Sequence, residues 1–377
     1  MTSPLIFYDR SRVVTDWKCP RARFWGYEYG RKGISPRRRS IYLEVGDRLH
    51  KGMADLLLDG DVDVVAPRQA LAYETSLREG EIDLSTMDEN KIQEQKTILE
   101  GMIRGWDRAV KPFLLRDYEI IKVEGEVKLD HDGCRLMAKP DVIARRKVDN
   151  TIWYPEWKST GSMKPSWFRQ WHKAVQLHWT AKAIEETIRE KVSGVIVFGL
   201  YKGFESAYGR QESMFGYGYG PKNGLDENGL IYRYKPGLWK YPIWETTTPK
   251  VWVEGMPTDL LEKQFGETGP IYLNDHLTAR SLAQTALREH DIRQGIELIE
   301  SAVEAGEHTA VTDFLDKYFP QHFDQCQPGW GTGCAFHDAC WVPTVQANPI
   351  GSGLFKVREP HHDNDPAFED SDDDHGE

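Results

Sequence analysis

The stretch of residues 136–158 constrains the fold of this chain more than any other. Two apolar runs within it are separated by Asp149 and Asn150, a pair that favours a turn. Apolar runs on either side of such a turn predict two neighbouring β-strands. Side chains of a strand alternate between its faces, so Glu156 and Lys158 are expected to share one face.

Three residues of this predicted hairpin can carry chemistry: Asp141, Glu156 and Lys158. Two carboxylates on adjacent strands supply the oxygen ligands that hard divalent cations prefer. An ammonium group beside them can hold an attacking water or offset the charge of a scissile phosphate. The three side chains therefore outline a site for phosphodiester hydrolysis. A solvated hairpin with an exposed ion pair is the alternative that these residues alone leave open.

The composition predicts a globular protein outside the membrane. The 377 residues are enough for one large domain with insertions or for two smaller ones. Hydrophobic residues make up 40% and charged residues 28%, as in soluble globular chains. No apolar run approaches the roughly 18 residues of a membrane span, and the N-terminus does not resemble a secretory signal. We therefore expect a cytoplasmic protein with no membrane partner.

Negative charge is concentrated at the C-terminus. Of the formal net charge of −11, residues 357–377 contribute −8, because they contain nine acidic residues and one arginine. The rest of the chain is thus nearly neutral, at −3. Since residues 357–377 are highly charged and poor in apolar side chains, they are predicted to form a disordered acidic tail. Such a tail could engage recombination or replication proteins.

A basic segment lies near the N-terminus. Residues 18–39 contain eight basic residues and one acidic residue. Aromatic residues are interleaved among them: Phe24, Trp25, Tyr27 and Tyr29. Basic groups contact phosphates and aromatic rings stack on bases, so this segment can be a nucleic-acid surface. A solvated basic face of a helix and loop remains the alternative.

Five cysteines are present, and three of them lie close together near the C-terminus. Cys326, Cys334 and Cys340 fall within 15 residues, which suggests a metal site. A cytoplasmic chain is not expected to form structural disulfides from them. Cys134 lies at the start of a predicted strand, where an ordinary buried thiol is expected.

Apolar periodicity predicts the remaining elements. They are a helix from Ser40 to Gly60, a helix over 87–110, a strand over 118–129, a helix over 165–191, a strand over 194–201 and a helix over 275–305. The first helix carries His50, and the strand over 118–129 brings Glu124 and Glu126 towards the metal. Gln176 lies on a polar stripe of its helix, where it can reach a phosphate or a metal-bound water, or remain a surface side chain.

Four motifs in chain order connect the candidate residues. They are Gly46-Asp47-Arg48-Leu49-His50, Pro140-Asp141, Glu156-Trp157-Lys158 and Gln176-Leu177-His178-Trp179-Thr180. Together they resemble the RecB-like nucleases of the PD-(D/E)XK superfamily, whose pattern runs Gly-x-x-x-His, Asp, Asp/Glu-x-Lys and Gln-x-x-x-Tyr. Thr180 departs from this pattern, because tyrosine is usual there, and Trp179 beside it can substitute in packing.

The resemblance implies an α/β fold of the restriction-endonuclease type, with a mixed central β-sheet flanked by helices and with helical and loop insertions. It also implies that His50, Asp141 and Glu156 hold one or two Mg²⁺ or Mn²⁺ ions. The main-chain carbonyl of Trp157 would be a further ligand.

The implied activity is that of a metal-dependent deoxyribonuclease. Lys158 would orient the attacking water or the phosphate, and Gln176 would support the substrate. Single-stranded DNA ends are the implied substrate, with exonuclease action favoured over endonuclease action. The alternatives are a non-catalytic DNA-binding accessory protein and a subunit that works only within a larger recombination or adaptation complex.

The cysteines extend the resemblance to the iron–sulfur branch of the same family. That branch includes the AddB nuclease subunit and the CRISPR-adaptation exonucleases, and it places one cysteine before the nuclease core and three after it. Here Cys19-Pro20-Arg21 matches the first position, and Cys326, Cys334 and Cys340 match the others, although the gap between Cys326 and Cys334 is wider than usual. The resemblance implies a structural 4Fe-4S cluster on four thiolates. A structural Zn²⁺ on the same thiolates is the alternative.

The predicted organisation is a single nuclease domain over residues 1–356, followed by the acidic tail. The parts of this domain are an N-terminal basic and helical part over 10–60, a catalytic core over 118–201, an insertion over 203–257 and a helical, iron–sulfur part over 275–345.

Overall fold

The structure, a computed structural model, describes residues 5–37, 41–79, 89–160, 165–201, 232–233, 241–242, 265–326, 333–360 and 362. The helices are α1 (Arg10–Lys18), α2 (Pro20–Arg23), α3 (Ile41–Leu57), α4 (Val62–Glu79), α5 (Glu89–Ala109), α6 (Lys111–Asp117), α7 (Pro165–Trp171), α8 (Val175–Ile188), α9 (Asp275–Glu304), α10 (His308–Tyr318), α11 (Phe323–Cys326), α12 (His337–Trp341) and α13 (Pro343–Ala347). The strands are β1 (Ile6–Asp9), β2 (Ile34–Pro36), β3 (Tyr118–Val123), β4 (Val127–His131), β5 (Cys134–Ala138), β6 (Val142–Arg146), β7 (Thr151–Thr160), β8 (Val192–Tyr201), β9 (Tyr232–Arg233), β10 (Tyr241–Pro242), β11 (Phe265–Glu267) and β12 (Phe355–Val357).

A five-stranded mixed sheet lies at the centre of the described fold. Its strand order is β11-β8-β7-β6-β3, in which β7 and β8 run parallel and the other neighbours run antiparallel. A three-stranded sheet has the order β1-β5-β4, with β1 and β5 parallel. These sheets and the helices around them confirm the prediction of a mixed α/β protein. Among the helices described here, we find none with the length and apolar character needed to span a membrane.

One face of the central sheet packs against α3, α4 and α5. Trp153 and Trp157 of β7 point to this side and join a core with Leu49 of α3 and Trp106 of α5. The rings of Trp106 and Trp157 meet edge to face, with their centroids 5.5 Å apart. The apolar positions of α3 recur every three or four residues, so its buried stripe forms as the sequence predicts. Helix α3 ends at Leu57 rather than at Gly60, and Ser40 lies outside the described residues.

The opposite face of the sheet packs against α8 and the three-stranded sheet. Ile152 and Tyr154 of β7 belong to this second core, together with Leu177 and Trp179 of α8. Residues 152 to 154 therefore alternate between the two faces of the sheet, as expected for a strand covered on both sides.

The predicted hairpin forms, but it is shorter than the sequence suggests. Strands β6 and β7 pair antiparallel across a turn that contains Asn150, whose φ of 59° is a left-handed conformation that asparagine tolerates. Residues 134–138 instead form β5 in the three-stranded sheet. Pro140 separates β5 from β6, because it has no amide hydrogen with which to continue a ladder. Asp141 consequently lies just before β6 rather than inside a strand.

Two further predicted elements are also divided. The strand expected over 118–129 is wrong as a single element, since β3 belongs to the central sheet and β4 to the other. The chain changes sheet at Glu124, which has a φ of 45°. The helix expected over 165–191 consists of α7 and α8, separated by Ala174 in an extended conformation. Helix α4 was not predicted, and it contains Pro67.

The two ends of the chain share a third core. Phe24 and Trp25 pack there with Phe319, Ala339 and Phe355. This packing buries part of the basic segment, and the role of the segment as a nucleic-acid surface stays a prediction. The guanidinium of Arg23, 1% exposed, donates to both oxygens of Glu289 at 3.1 and 2.9 Å, and Arg21 pairs with Asp316 at 2.6 Å.

The boundary of the predicted acidic tail lies too early in the sequence. Strand β12, which includes Val357, pairs antiparallel with β2. The Arg358 amide donates to the Gly33 carbonyl at 3.0 Å. His362 is 3% exposed and lies 3.0 Å from Glu126. Val357, Arg358 and His362 thus contact the rest of the fold, although Val357 is 49% exposed. Residues 363–377 lie outside the described residues, as does most of the predicted insertion over 203–257.

We expect Phe355→Ala to lower the free energy of unfolding by about 3–5 kcal/mol, because the side chain is 3% exposed and stacks on Phe336. Leu354→Ala is the matched control, since Leu354 is 41% exposed, and we expect a change within about 0.5 kcal/mol. Urea unfolding measures both variants. Equal stability of the two would show that the C-terminal segment is not docked.

Candidate metal centre and active site

His50 and Asp141 meet where α3 crosses the start of β6. His50 Nδ1 lies 2.8 Å from Asp141 Oδ1, and the main-chain amide of Trp157 donates to Asp141 Oδ2 at 2.7 Å. Both carboxylate oxygens are therefore oriented, one by a helix and one by the neighbouring strand. Asp141 is 8% exposed, so these partners replace solvent that the carboxylate lost on folding.

Opposite charge dominates the ionisation of this pair. Burial favours the neutral form of each group, but the neighbouring charges oppose it. The charges of His50 and Lys158, together with the hydrogen bonds of His50 and the Trp157 amide, lower the pKa of Asp141 to about 2. The Asp141 carboxylate raises the pKa of His50 above its ordinary value.

Glu124 completes a group of three potential metal ligands. One ligand atom from each of His50, Glu124 and Asp141 lies within 4.8 Å of the other two. The Glu124 amide also donates to the Asp141 carbonyl at 2.9 Å, and Lys139 Nζ lies 3.2 Å from the Glu124 carboxylate. The two carboxylates suit Mg²⁺ or Mn²⁺, and the imidazole is a ligand more typical of transition-metal ions. From the sequence, Glu124 was expected to lie near the metal but not to bind it. That expectation assumed one continuous strand over 118–129, whereas the strand ends just before Glu124.

Glu156 and Lys158 share one face of β7, as their spacing predicts. Glu156 is 4% exposed, and its carboxylate accepts hydrogen bonds from Tyr154 and Lys158. Arg10 Nη1, at the start of α1, lies 3.7 Å from the same carboxylate. Burial, and then the charge of Glu156, raise the pKa of Tyr154 well above its ordinary value, so the phenol remains a donor at neutral pH.

The structure thus groups His50 and Asp141 with Glu124, whereas the sequence motifs imply that the third side-chain ligand is Glu156. Glu156 still lies close enough to affect the ionisation of His50, and Lys158 affects both His50 and Asp141. The carboxylate of Glu156 is engaged by cationic and hydroxyl donors in this structure. Its role as a metal ligand stays a prediction.

The remaining predicted site residues are Trp157 and Gln176. Trp157 contributes its amide hydrogen to the site, so the use of its carbonyl as a ligand stays a prediction. Gln176, the second residue of α8, is half-buried, and within the described chain we find no hydrogen bond from it to the carboxylates. Thr180 and Trp179 are both buried, and Trp179 Nε1 donates to Ser281 at 2.8 Å.

Four of the five cysteines lie near one another. Cys19 follows α1, Cys326 ends α11, Cys340 lies in α12, and Cys334 donates its amide to the Cys326 carbonyl at 3.2 Å. Burial raises the pKa of Cys334, and the thiols of Cys19 and Cys326 raise it further. Burial likewise raises the pKa of Cys340 to about 11, with Cys334 and Cys19 contributing. Electrostatic interactions therefore link the four cysteines, and a bound cation would favour the thiolate forms of Cys334 and Cys340, whose pKa values are raised. In the described part of the chain, however, the four Sγ atoms are not grouped as closely as the ligand atoms of His50, Glu124 and Asp141.

Cys134 lies apart from this group. It is fully buried in β5, with its Sγ 4.0 Å from the Ala286 carbonyl of α9. Burial first, and then Glu289, raise its pKa to about 11. A buried thiol in an apolar core is the arrangement that the sequence predicts.

Hydrogen bonds to main-chain carbonyls also join the two ends of the chain beside the cysteines. Arg21 Nε donates to the Phe319 carbonyl at 2.8 Å, and its amide donates to the Pro320 carbonyl at 3.3 Å. His322 Nδ1 lies 2.8 Å from the Lys18 carbonyl. These contacts bring Cys19 to the C-terminal cysteines by protein packing.

Comparison with protein-family models and with curated proteins finds no match to this chain. The fold and the two side-chain groups define it as a mixed α/β protein with a histidine–carboxylate site and a separate group of four cysteines.

We expect the His50–Asp141 pair to stabilise the metal-free protein in a pH-dependent way. Because the pKa of His50 is raised on folding, its stabilisation is fully present below about pH 6.5 and is lost as the pH rises through the folded value. In EDTA, His50→Ala should cost about 1.5–3 kcal/mol at pH 6 and less at pH 9. Urea unfolding at the two pH values tests this, with the exposed His172→Ala as control. An equal loss at both pH values would contradict the assignment.

Proposed function

We propose that this protein is a divalent-metal-dependent deoxyribonuclease that hydrolyses phosphodiester bonds. The observation that carries the proposal is the grouping of His50, Glu124 and Asp141 next to Glu156 and Lys158. These side chains come from helix α3, the end of β3, the start of β6 and strand β7, so the fold brings them together from four separate elements. The RecB-like, PD-(D/E)XK arrangement suggested by the sequence motifs is the finer form of this proposal.

The residues present fit a hard divalent cation. His50, Glu124 and Asp141 would hold the ion, with Glu156 available when its donors move to substrate. A Mg²⁺ or Mn²⁺ ion would supply a water of lowered pKa and would neutralise charge on the phosphate.

The chain's own side chains supply the remaining functions. Lys158 donates a hydrogen bond to the attacked phosphate or to the water, and its positive charge offsets the negative charge of the phosphate. The Trp157 amide and His50 keep the Asp141 carboxylate in one orientation. Tyr154 holds Glu156 in position as a neutral donor.

The four grouped cysteines are proposed to bind a structural 4Fe-4S cluster. Cys19, Cys326, Cys334 and Cys340 offer the four thiols that such a cluster uses. Their place beside the joined chain ends suits a structural role. A structural Zn²⁺ is the alternative, since the same four ligands satisfy it.

Single-stranded DNA ends are the proposed substrate, and the proposed place of action is the cytoplasm. The second candidate function is a DNA-binding accessory subunit that is inactive by itself or active only within a larger complex. The presence of Lys158 together with Asp141 and Glu156 favours an enzyme, because all three residue types serve metal-dependent hydrolysis.

The experiment is digestion of end-labelled single-stranded and duplex DNA by the purified protein with Mg²⁺, Mn²⁺ or EDTA. We expect metal-dependent cleavage that Lys158→Ala abolishes and that Lys147→Ala, an exposed lysine bonded to the Leu115 carbonyl, leaves unchanged. DNA binding with no cleavage in either Mg²⁺ or Mn²⁺ would support the accessory role. Full activity of folded Lys158→Ala would refute the assigned chemistry.

A further inference from the structure

A cleft of about 270 Å³ lies between α1, the start of α8 and the first half of α9. Its apolar lining comes from Val13, Trp17, Val175 and Leu277. Known small-molecule sites span about 300–1,000 Å³. A cleft slightly smaller than that range suits one ring system rather than a long or branched molecule.

Trp17 is the feature of this cleft that suggests a ligand. Its side chain is 52% exposed, which leaves a large aromatic surface open to solvent. The ring rests on Trp179 with centroids 5.7 Å apart, and Trp179 is itself buried and bonded to Ser281. An indole held on a rigid support and open to solvent is a platform for stacking a planar ring.

The charges around the cleft are paired with one another. Arg288 donates to both oxygens of Asp16, at 3.0 and 2.8 Å, and Glu289 is held by Arg23. The cleft is also lined by neutral hydrogen-bonding side chains, including Ser281 and Gln284. These features favour a neutral heteroaromatic ring with polar edges over a phosphate.

Helix α1 connects the cleft to the candidate active site. Arg10, the first residue of α1, contacts Glu156, and Val13 and Trp17 follow about one and two turns later. At 1.5 Å per residue, Trp17 is roughly 10 Å along the helix axis from Arg10. That distance corresponds to about three stacked nucleotides at 3.4 Å each. The cleft also reaches Val175, which adjoins Gln176 on α8.

We infer that this cleft binds one unpaired nucleobase of a single-stranded DNA substrate, stacked on Trp17, a few nucleotides from the phosphate at the carboxylates. The inference rests on the proposed function and deepens it. A base within a duplex is stacked and paired, so the cleft would favour single strands over duplex DNA.

The test is binding of a fluorescein-labelled single-stranded oligonucleotide, measured by anisotropy with Ca²⁺ in place of Mg²⁺. Base–aromatic stacking energies predict that Trp17→Ala weakens binding by roughly 5- to 150-fold. Trp17→Phe should recover most of the affinity. Tyr272→Ala is the matched control, because Tyr272 is 70% exposed and lies by Trp153, away from the cleft, and we expect it to bind like the wild type.

A set of oligonucleotides, each with a single abasic site at a different position, distinguishes stacking of one base from a general loss of DNA affinity. Wild type should lose affinity at one position, and Trp17→Ala should lose that dependence while its affinity for duplex DNA stays unchanged. An unchanged affinity and abasic profile in folded Trp17→Ala would overturn the inference even if the protein cuts DNA. Equal weakening for single-stranded and duplex DNA would overturn it too. If binding showed the expected abasic profile but the protein did not cut DNA in Mn²⁺, the nucleobase site would be supported and the proposed hydrolysis would be refuted.

Discussion

Asp141→Ala is expected to abolish metal-dependent DNA cleavage and to weaken Mn²⁺ binding at least about a hundredfold. Loss of a group that only supports a metal ligand already costs 10- to 100-fold, and Asp141 is itself a proposed ligand. The substitution also leaves the Trp157 amide without its acceptor and His50 without its partner. Calorimetric titration with Mn²⁺ and digestion of end-labelled DNA measure the two effects separately.

The matched control is Asp130→Ala. Asp130 pairs with Arg135 on the surface of the three-stranded sheet, with its side chain 47% exposed. We expect this variant to bind Mn²⁺ and cut DNA like the wild type. If Asp141→Ala, shown to be folded by circular dichroism, retained wild-type Mn²⁺ affinity, the ligand assignment would be wrong.

Glu124→Gln distinguishes the group of three found in the structure from the set suggested by the sequence. Glutamine keeps the size of the side chain and removes its charge. If Glu124 is a ligand, Mn²⁺ binding should weaken by a similar factor to that of Asp141→Ala. A loss confined to Glu156→Gln would instead restore the set that the sequence motifs imply.

The second large effect concerns the cysteines. We expect the anaerobically purified protein to be brown, with broad absorption near 400 nm as the family resemblance implies, and to contain about four iron atoms per chain. Cys19→Ala should bleach this colour, reduce solubility and weaken DNA binding. The same is expected for Cys326, Cys334 and Cys340.

Cys134→Ala is the matched control, because it removes a buried thiol that lies apart from the group of four. It should leave colour and iron content unchanged. One zinc and no iron per chain would establish the alternative metal with the same ligands. Bleaching by Cys134→Ala but not by Cys19→Ala would exclude both assignments.

Loss of the cluster is not expected to separate the two ends of the chain. The contacts of Arg21 with Phe319 and Pro320, and the ion pair of Arg23 with Glu289, would remain. A bound cluster adds its binding free energy to stability, since it binds the folded arrangement of thiols. Thermal unfolding of Cys19→Ala should therefore begin earlier but remain cooperative.

Local sequence determined how several residues of the candidate site are placed within their own elements. The alternation in β7 places Glu156 and Lys158 on one face, and the periodicity of α3 gives the buried stripe of that helix, because both depend on backbone geometry within a few residues. Cys134 could be assigned to a strand for the same reason. Charge alone does not reveal that Arg21 and Arg23 of the basic segment have acidic partners 295 and 266 residues away along the chain.

Tertiary structure alone decided how distant residues meet. Glu124 joins His50 and Asp141 because β3 ends there and the chain crosses to another sheet, with a left-handed residue at the crossing. Pairing of β12 with β2 carries the chain to the point where His362 contacts Glu126. The contact shows that the folded part of the chain extends beyond the predicted start of the tail. The open surface of Trp17 likewise depends on three helices far apart in sequence. Periodicity and spacing report neighbours along the chain, whereas these contacts depend on which surfaces pack together.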